Sequence, residues 1–392
     1  MTTVYKIINR KKLFATVIGD TLGRILFFPK KLLGRPQPVN PGEIHKICII
    51  KTAYIGDVVM TLPMLAPLRK LFPDAEITFL TSSSAAPLLR NNPYINRIEI
   101  FDPFWFYPVP MLTWFTFLKK AGSMAYDLVI ETRGDIREIA LLAFWMQSKV
   151  KVSYDIGGGG YLLSHVVPYP GVRHKVNYHI DIIKYLGGSD ISVSTAPGIN
   201  LTPDEHREMG IFLKEKGVTG PFIAVHPGAR LKAKRWPHER FARLCSLLST
   251  HCQLPVVLPG SLQEKELVAA IHALAPENTI PVAGELNIRQ LAALLSRAAV
   301  MVCNDSAPMH IAAAMKTPVV AIFGPSKKEE TAPYATQSIV IDKDFSCRPS
   351  CDENSCRQPV KQACMQAIEV EEVFLAVQRL LNKTQKTAPA ST

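Results

Sequence analysis

The chain is predicted to be an α/β protein built from two doubly wound parallel-sheet domains. Three observations carry this. Short apolar strand-like runs alternate with helical stretches along most of the chain. The alternation lapses into polar and turn residues between about residues 187 and 220 and then resumes. Polar turns bearing Gly or Asp stand at the carboxyl ends of the runs, where open α/β sheets bind ligands. With 392 residues the chain is long enough for two full cores. A composition of 47% hydrophobic and 20% charged residues is that of a globular protein and excludes a mainly disordered one.

In order, residues 1–43 form a basic amphipathic arm and a Pro-rich linker. Residues 44–195 form the first domain, 196–220 the crossing and 221–365 the second domain. Residues 366–392 hold a last helix and a tail. Residues 1–40 carry eight Lys or Arg against Asp20, a net +7 that leaves +5 of the total +12 for the rest. Its cations (Lys6, Arg10, Lys11, Lys12, Arg24, Lys30, Lys31, Arg35) are interleaved with Phe14, Ile18, Leu22, Ile25 and Leu26. No apolar run approaches the roughly 18 residues that span a bilayer, and no cleavable signal is clear. Two readings stay open: a helix lying on an anionic membrane surface, or an extra helix packed on the first domain. Gly34 to Gly42 is rich in Pro and reads as a stiff linker. The expected location is cytoplasmic, peripheral on the inner face of the inner membrane. The charge sits on an apolar-rich arm without an aromatic-basic stacking platform, which argues against nucleic acid as a partner.

The first domain opens with the buried-strand run Lys46 to Ile50, followed by Lys51-Thr52-Ala53-Tyr54-Ile55-Gly56-Asp57 and a helical pattern through Val58, Leu62, Leu65 and Leu68. Gly56 permits close approach or an unusual φ, and Asp57 begins the helix. Strands follow at 76–80, 97–101 and 128–130, with helices at Ala85–Arg90 and near Met111–Lys120. In the second domain, strands are expected at 222–225, 256–258, 300–302 and 319–323. Helices are expected at Glu239–Leu248, Gln263–Leu274 and Ile288–Ser296.

Three patches of that domain carry chemistry. His226-Pro227-Gly228-Ala229 ends its first strand and is followed by Arg230, Lys232, Lys234 and Arg235, four cations in six residues. Cations clustered after a strand end suit a diphosphate better than a solvated face does. Pro259-Gly260-Ser261-Leu262-Gln263-Glu264 puts a carboxylate after a Gly turn, where it can meet ribose hydroxyls or simply begin a helix. Asn304-Asp305-Ser306-Ala307-Pro308-Met309-His310 reads as strand end, turn and helix start. Asp305 or Ser306 can cap that helix, Pro308 suits its first turn, and its N-terminus offers unpaired N–H groups to phosphate.

Taken together, these motifs resemble the bacterial heptosyltransferases of glycosyltransferase family 9, over roughly residues 44–382. The likeness rests on Gly56-Asp57-Val58-Val59 with Leu62-Pro63, on His226-Pro227-Gly228-Ala229 with Lys234-Arg235-Trp236-Pro237, and on Asn304 to His310 with Phe323-Gly324-Pro325-Ser326. It implies a GT-B fold, two Rossmann-like domains facing a central cleft, with the last helix (Val370 to Leu381) returning to the first domain. It also implies inverting, metal-independent transfer from ADP-L-glycero-D-manno-heptose to a lipid-linked acidic acceptor of the lipopolysaccharide inner core (lipid A–Kdo type). By the same resemblance Asp57 is the general base and Lys234 the phosphate lysine. His226, Pro227, Gly228, Lys232, Glu264, Asp305, Ser306, Ala307, Pro308, Met309 and His310 fall on the donor side. Gly56, Arg133 and Arg137 fall on the acceptor side.

The chain departs from the family at Ala307, where Gly is common, and at Glu131-Thr132-Arg133-Gly134-Asp135, where a more neutral turn is common. Gly157 to Gly160 reads as a flexible acceptor loop. No cofactor is expected for catalysis. Cys347, Cys351, Cys356 and Cys364 are separated by 3, 4 and 7 residues. They allow a structural zinc or iron–sulfur site, although they lack the paired C-x2-C knuckles of most zinc sites and suit plain thiols as well. Two other functions remain: a transferase of the same fold using another nucleotide sugar such as a UDP-sugar, and a non-catalytic membrane-bound scaffold.

Overall fold

The computed structural model describes residues 5, 10–27, 38–188, 198–348, 351, 356 and 358–387. The chain divides into two compact units, Met1–Thr195 and Ala196–Thr392. In the first, strands β1 (Lys46–Lys51), β2 (Glu76–Thr81), β3 (Arg97–Ile100), β4 (Ala125–Glu131), β5 (Gln147–Tyr154) and β6 (His165–Val167) pair in the order β3-β2-β1-β4-β5-β6. In the second, β7 (Ile223–His226), β8 (Val256–Leu258), β9 (Thr279–Pro281), β10 (Val300–Asn304), β11 (Val319–Ile322) and β12 (Ser338–Ile341) pair in the order β12-β11-β10-β7-β8-β9. Every pairing is parallel. The predicted pair of doubly wound sheets is what forms. In each sheet the strand order reverses beside the first strand, between β1 and β4 and between β7 and β10. That switch point is where such sheets hold ligands.

The central strands are sequestered on both faces: Ile47, Ile49 and Ile50 on β1 and Val300, Met301 and Val302 on β10 are fully buried. Helices cover the faces with apolar stripes. Met111–Gly122 buries Phe117, Leu118 and Ala121 against Phe101 and Val129. The helical pattern after Asp57 breaks into Ile55–Val59, a 3-10 turn at Leu62–Met64 and Leu65–Leu71. Pro63 and Pro67 lack the N–H groups that one continuous helix would need there.

Within 196–220, the helix expected around Pro203–Lys216 forms as Pro203–Glu215, opened by a Thr202/Glu205 capping box, and groups with the second unit. Glu205 also accepts a 2.6 Å bond from Arg289 of helix Ile288–Leu295. The last helix, Val370–Thr387, spends its apolar face within the second unit. Val370, Val373, Ala376, Val377 and Leu380 lie in the core of the second unit.

The N-terminal arm takes the second of its two readings: helix Arg10–Leu26 is seated on the first unit by a polar seam. Asp20, fully buried, accepts from the Gly159 N–H (2.7 Å), the Tyr5 O–H (2.6 Å) and Arg24 Nε (2.9 Å), and Arg24 also reaches Asp155 at 2.7 Å. Any side chain at Gly23 would strike the Tyr161 ring, so this contact requires glycine. The Gly157 to Gly160 run therefore supplies the seat for Asp20. The cations Lys6, Lys30, Lys31 and Arg35, and the start of the Pro-rich linker, lie outside the described residues. No described helix is long and apolar enough to cross a membrane.

Candidate active site

At the first sheet's switch point, β1 delivers Lys51 and then the turn into helix Ile55–Val59. Tyr54, not Gly56, takes the left-handed φ of 41° and stands at the N-cap without capping the helix through its side chain. Gly56 and Asp57 lie inside the first helical turn. Asp57 is therefore no cap; its Oδ1 accepts a 2.8 Å bond from Lys175 Nζ. Burial alone would raise the proton affinity of Asp57. The charges of Lys175, Lys51 and Arg133 outweigh that and hold its carboxyl well below the usual carboxylate range. Lys51 is buried beneath it, and burial pushes its ammonium pKa down.

Lys175 arrives on helix Lys175–Tyr185, which is locked in place one turn further on. His179, also buried, bonds the Met60 carbonyl through Nδ1 at 2.9 Å. Burial and the Lys51 charge push its pKa down to about 3, so it is a neutral donor. The turn after β4 brings Arg133 to the same place. Glu131 shapes that turn by accepting the N–H groups of Arg133 (2.8 Å) and Gly134 (2.6 Å) and the Ser153 hydroxyl (2.5 Å). Burial and the neighbouring Glu138 raise the Glu131 pKa to about 8. Arg133 stacks over Phe106 at 4.7 Å, and its buried Nη1 has no hydrogen-bond partner. Arg137 also stacks on Phe106, at 4.6 Å, but both arms of its guanidinium are taken by Asp135 at 2.8 and 2.6 Å. Of the two, Arg133 is the better placed to meet a ligand.

The second switch point is organised by Asn304, at the end of β10. Its Nδ2 donates to the Pro227 carbonyl (2.7 Å) and its Oδ1 accepts from the Trp236 N–H (3.1 Å). One side chain thus joins the turn after β7 to the turn that carries Lys234. Lys234 Nζ lies 2.8 Å from Asp305 Oδ2, with both side chains largely buried. Burial opposes ionisation of Asp305, but Lys234 and His310 overcome it and lower its pKa. His310 is buried on helix Ala307–Ala314. That helix starts without the expected side-chain cap: Ser306 occupies the N-cap position but its hydroxyl turns back to the Asn304 carbonyl at 3.3 Å. Pro308 has no N–H, and the Met309 N–H bonds the Ser306 carbonyl at 3.1 Å, so fewer backbone donors face outward than the motif suggested.

Glu264 resolves as a capping residue. Its Oε2 accepts the Ser261 N–H and hydroxyl, both at 2.8 Å, and lies 3.5 Å from His226 Nε2. Despite burial, His226 and Ser261 lower its pKa to about 2. Its carboxylate fills the space a side chain at Gly228 would need, which is why that position takes glycine. His226 is buried at the end of β7, its Nδ1 without a partner. Lys232 is exposed and contributes its carbonyl, which accepts from Gln362 at 2.8 Å. Cys347, Cys351, Cys356 and Cys364 line one cavity beside Ala233 and Pro325. They are present as thiols. Among the described residues no group of three or more His, Cys, Asp or Glu is arranged to hold a metal ion.

Sequence reasoning did not assign Lys51, Lys175, His179 or Asn304. Lys51 and Asn304 carried the signal of a strand-end position; Lys175 carried none, because its partner lies 118 residues away.

Two Rossmann-like sheets, with ionised side chains gathered at both switch points, define the class: a GT-B glycosyltransferase. A sequence profile of glycosyltransferase family 9 (heptosyltransferase) matches residues 114–361. The chain belongs to that family and is a glycosyltransferase. It is 26% identical over 337 residues to lipopolysaccharide heptosyltransferase 3 of Escherichia coli, covering 83% of this chain and 96% of that one. Among solved structures it is similar to the family 9 glycosyl transferase of Veillonella parvula (TM-score 0.75, 22% identity, 86% of this chain and 97% of that one). It is also similar to E. coli heptosyltransferase WaaC with ADP (TM-score 0.65, 18% identity, 86% and 99%).

Proposed function

We propose that the chain transfers heptose from ADP-L-glycero-D-manno-heptose to an acidic, lipid-linked acceptor of the lipopolysaccharide inner core. The observation that carries this is the pairing of functions at the two switch points: a buried carboxylate among cations in the first unit, and Lys234 with Asp305 at a helix N-terminus in the second. The ADP named with the WaaC structure and the acceptor class named for the E. coli relative supply the substrates.

In this reading Asp57 takes the proton of the acceptor hydroxyl as its oxygen bonds the anomeric carbon from the face opposite the diphosphate. The bond from that carbon to the diphosphate oxygen breaks, and ADP leaves with the electron pair. Lys234 and the N-terminus of helix Ala307–Ala314 oppose the charge that grows on the leaving group, so the step needs no metal. Arg133 and Lys51 favour an anionic acceptor. The exposed residues Phe14, Ile18, Leu22 and Ile25 form one stripe of the arm helix, away from the Asp20 seam. We read this stripe as the contact with an anionic membrane surface on the cytoplasmic side.

Calorimetric titration with ADP and UDP, on the wild type and on Lys234→Ala, tests the donor. ADP should bind better than UDP. The variant should bind it about ten- to a hundredfold more weakly, the worth of one charged hydrogen bond. Preference for UDP would move the enzyme to another nucleotide sugar. Unaltered ADP affinity in the variant would remove Lys234 from the site.

A further inference from the structure

Asp57 is surrounded by more positive charge than it can balance. Lys51 faces it from the end of β1, Arg133 from the turn after β4, and Lys175 from helix Lys175–Tyr185, with neutral His179 beside them. The other acids acting on these cations are Glu131 and Glu138, both buried, and Asp135, whose Oδ2 lies 3.8 Å from Arg133 Nε. Lys175 is the one cation in direct contact with Asp57, and its side chain is one-third exposed where that of Asp57 is 15% exposed. Arg133 Nη1, close by, is buried with its hydrogen-bonding capacity unspent.

A carboxylate gripped by an ammonium is a weak proton acceptor, because the proton must displace a favourable charge. The long Lys175 side chain can swing, whereas Lys51 is enclosed. We infer that Lys175 is a positioning residue shared between Asp57 and the acceptor. In the resting site it holds the Asp57 carboxylate. As an acceptor anion settles against the one-third exposed Arg133 side chain, the Lys175 ammonium is drawn to it, which frees Asp57 Oδ1 to take the hydroxyl proton. This rests on the reading of Asp57 as the base. It makes the acceptor's own charge the signal that activates that base, so a neutral sugar of the same shape meets an occupied carboxylate.

The test compares a Kdo-bearing lipid A acceptor with the same molecule methyl-esterified at its carboxylates, on the wild type, Lys175→Met and Lys175→Arg. The wild type should favour the free acid by more than about tenfold in kcat/KM, the worth of a charge-assisted contact. Lys175→Met should shrink that preference to within about threefold, and Lys175→Arg should restore most of it. The acid side of the kcat/KM profile of Lys175→Met should also shift to higher pH than in the wild type, as the carboxyl loses its strongest counter-charge. A preference and a pH profile that survive Lys175→Met overturn the proposal. If that variant does not fold, equal turnover of acid and ester by the wild type overturns it. Asp57→Asn separates the two readings. If it keeps turnover, the base assignment itself falls; if it loses turnover while Lys175→Met behaves as wild type, only the sharing falls.

Discussion

Replacing Asn304 by alanine should damage stability and donor binding together. The side chain is fully buried and makes bonds of 2.7 and 3.1 Å to the Pro227 carbonyl and the Trp236 N–H. Alanine removes both bonds, each worth about 1 kcal/mol, and strands a buried donor and a buried acceptor at about 1–3 kcal/mol each. Partial relaxation of the two turns should bring the loss to about 2–5 kcal/mol. In a unit near 200 residues that is a fall in melting temperature of roughly 5–15 °C. The functional effect follows from what Asn304 joins. Trp236 is two residues beyond Lys234, so a loosened Trp236 lets the lysine drift from Asp305. Asn304→Asp makes the sharper comparison: it keeps an acceptor for the Trp236 N–H but sets a carboxylate oxygen against the Pro227 carbonyl and beside Asp305. Thermal melting and ADP calorimetry on both variants are the assays. A melting temperature within about 2 °C of wild type, with unchanged ADP affinity, would refute the claim that one side chain holds the two turns together.

Three further outcomes are expected. Glu131, with its carboxyl raised to about 8 in the fold, keeps a proton that the unfolded chain releases above about pH 4.5. Its stabilisation is therefore complete at low pH and is lost as pH rises, at up to about 1.4 kcal/mol per unit. Neutral His179 contributes with the opposite sign up to about pH 6.5, so the decline should show between pH 6.5 and 8; denaturant melts should find it, and should find it flattened in Glu138→Gln. A slope that is the same in both proteins would discard the carboxyl pair as its source. Deleting residues 1–36 should abolish flotation with anionic vesicles, and Asp20→Ala should speed tryptic cleavage after Arg24 with little change in overall melting, because a docked terminal helix can release locally. Continued flotation of the truncated chain would discard the membrane stripe.

Most strands visible in the sequence are buried ones: β1, β2, β4, β7, β8, β10 and β11 carry apolar runs that little else explains, and the edge strand β3 showed as a shorter Ile-bearing run. Those that escaped notice lie toward the sheet edges. β5 alternates Lys149 and Lys151 with Val150 and Val152, β9 ends in Pro281, and β6 and β12 are only three and four residues long. An edge strand can afford polar residues on its outer side, so its pattern fades. The amphipathic face of the last helix was legible too, but not what it would cover; periodicity gives a helix a buried side without naming its partner. The site divides in the same way. Asp57, His226 and Asp305 lie at or shortly beyond the carboxyl ends of β1, β7 and β10, in turns whose motifs marked them. Lys175 lies on a helix far along the chain, and the packing of that helix, with His179 bonded to the Met60 carbonyl, brings it to Asp57.

Both switch points share one electrostatic plan. Each holds a lysine against an aspartate: Lys175 with Asp57, and Lys234 with Asp305, both at 2.8 Å. An unpaired ammonium or carboxylate as enclosed as these would carry a desolvation cost that the pairing offsets. They also set what each unit can accept. A diphosphate competes with Asp305 for Lys234, while an acidic acceptor competes with Asp57 for Lys175. The two competitions differ in consequence. Asp305 remains buried beside His310 and takes no part in proton transfer. Asp57, once released, is the group asked to take a proton. The same ion pair thus steadies one substrate's seat and restrains the chemistry at the other's, which is why loss of Lys175 should alter acceptor choice and pH dependence, whereas loss of Lys234 should alter donor affinity.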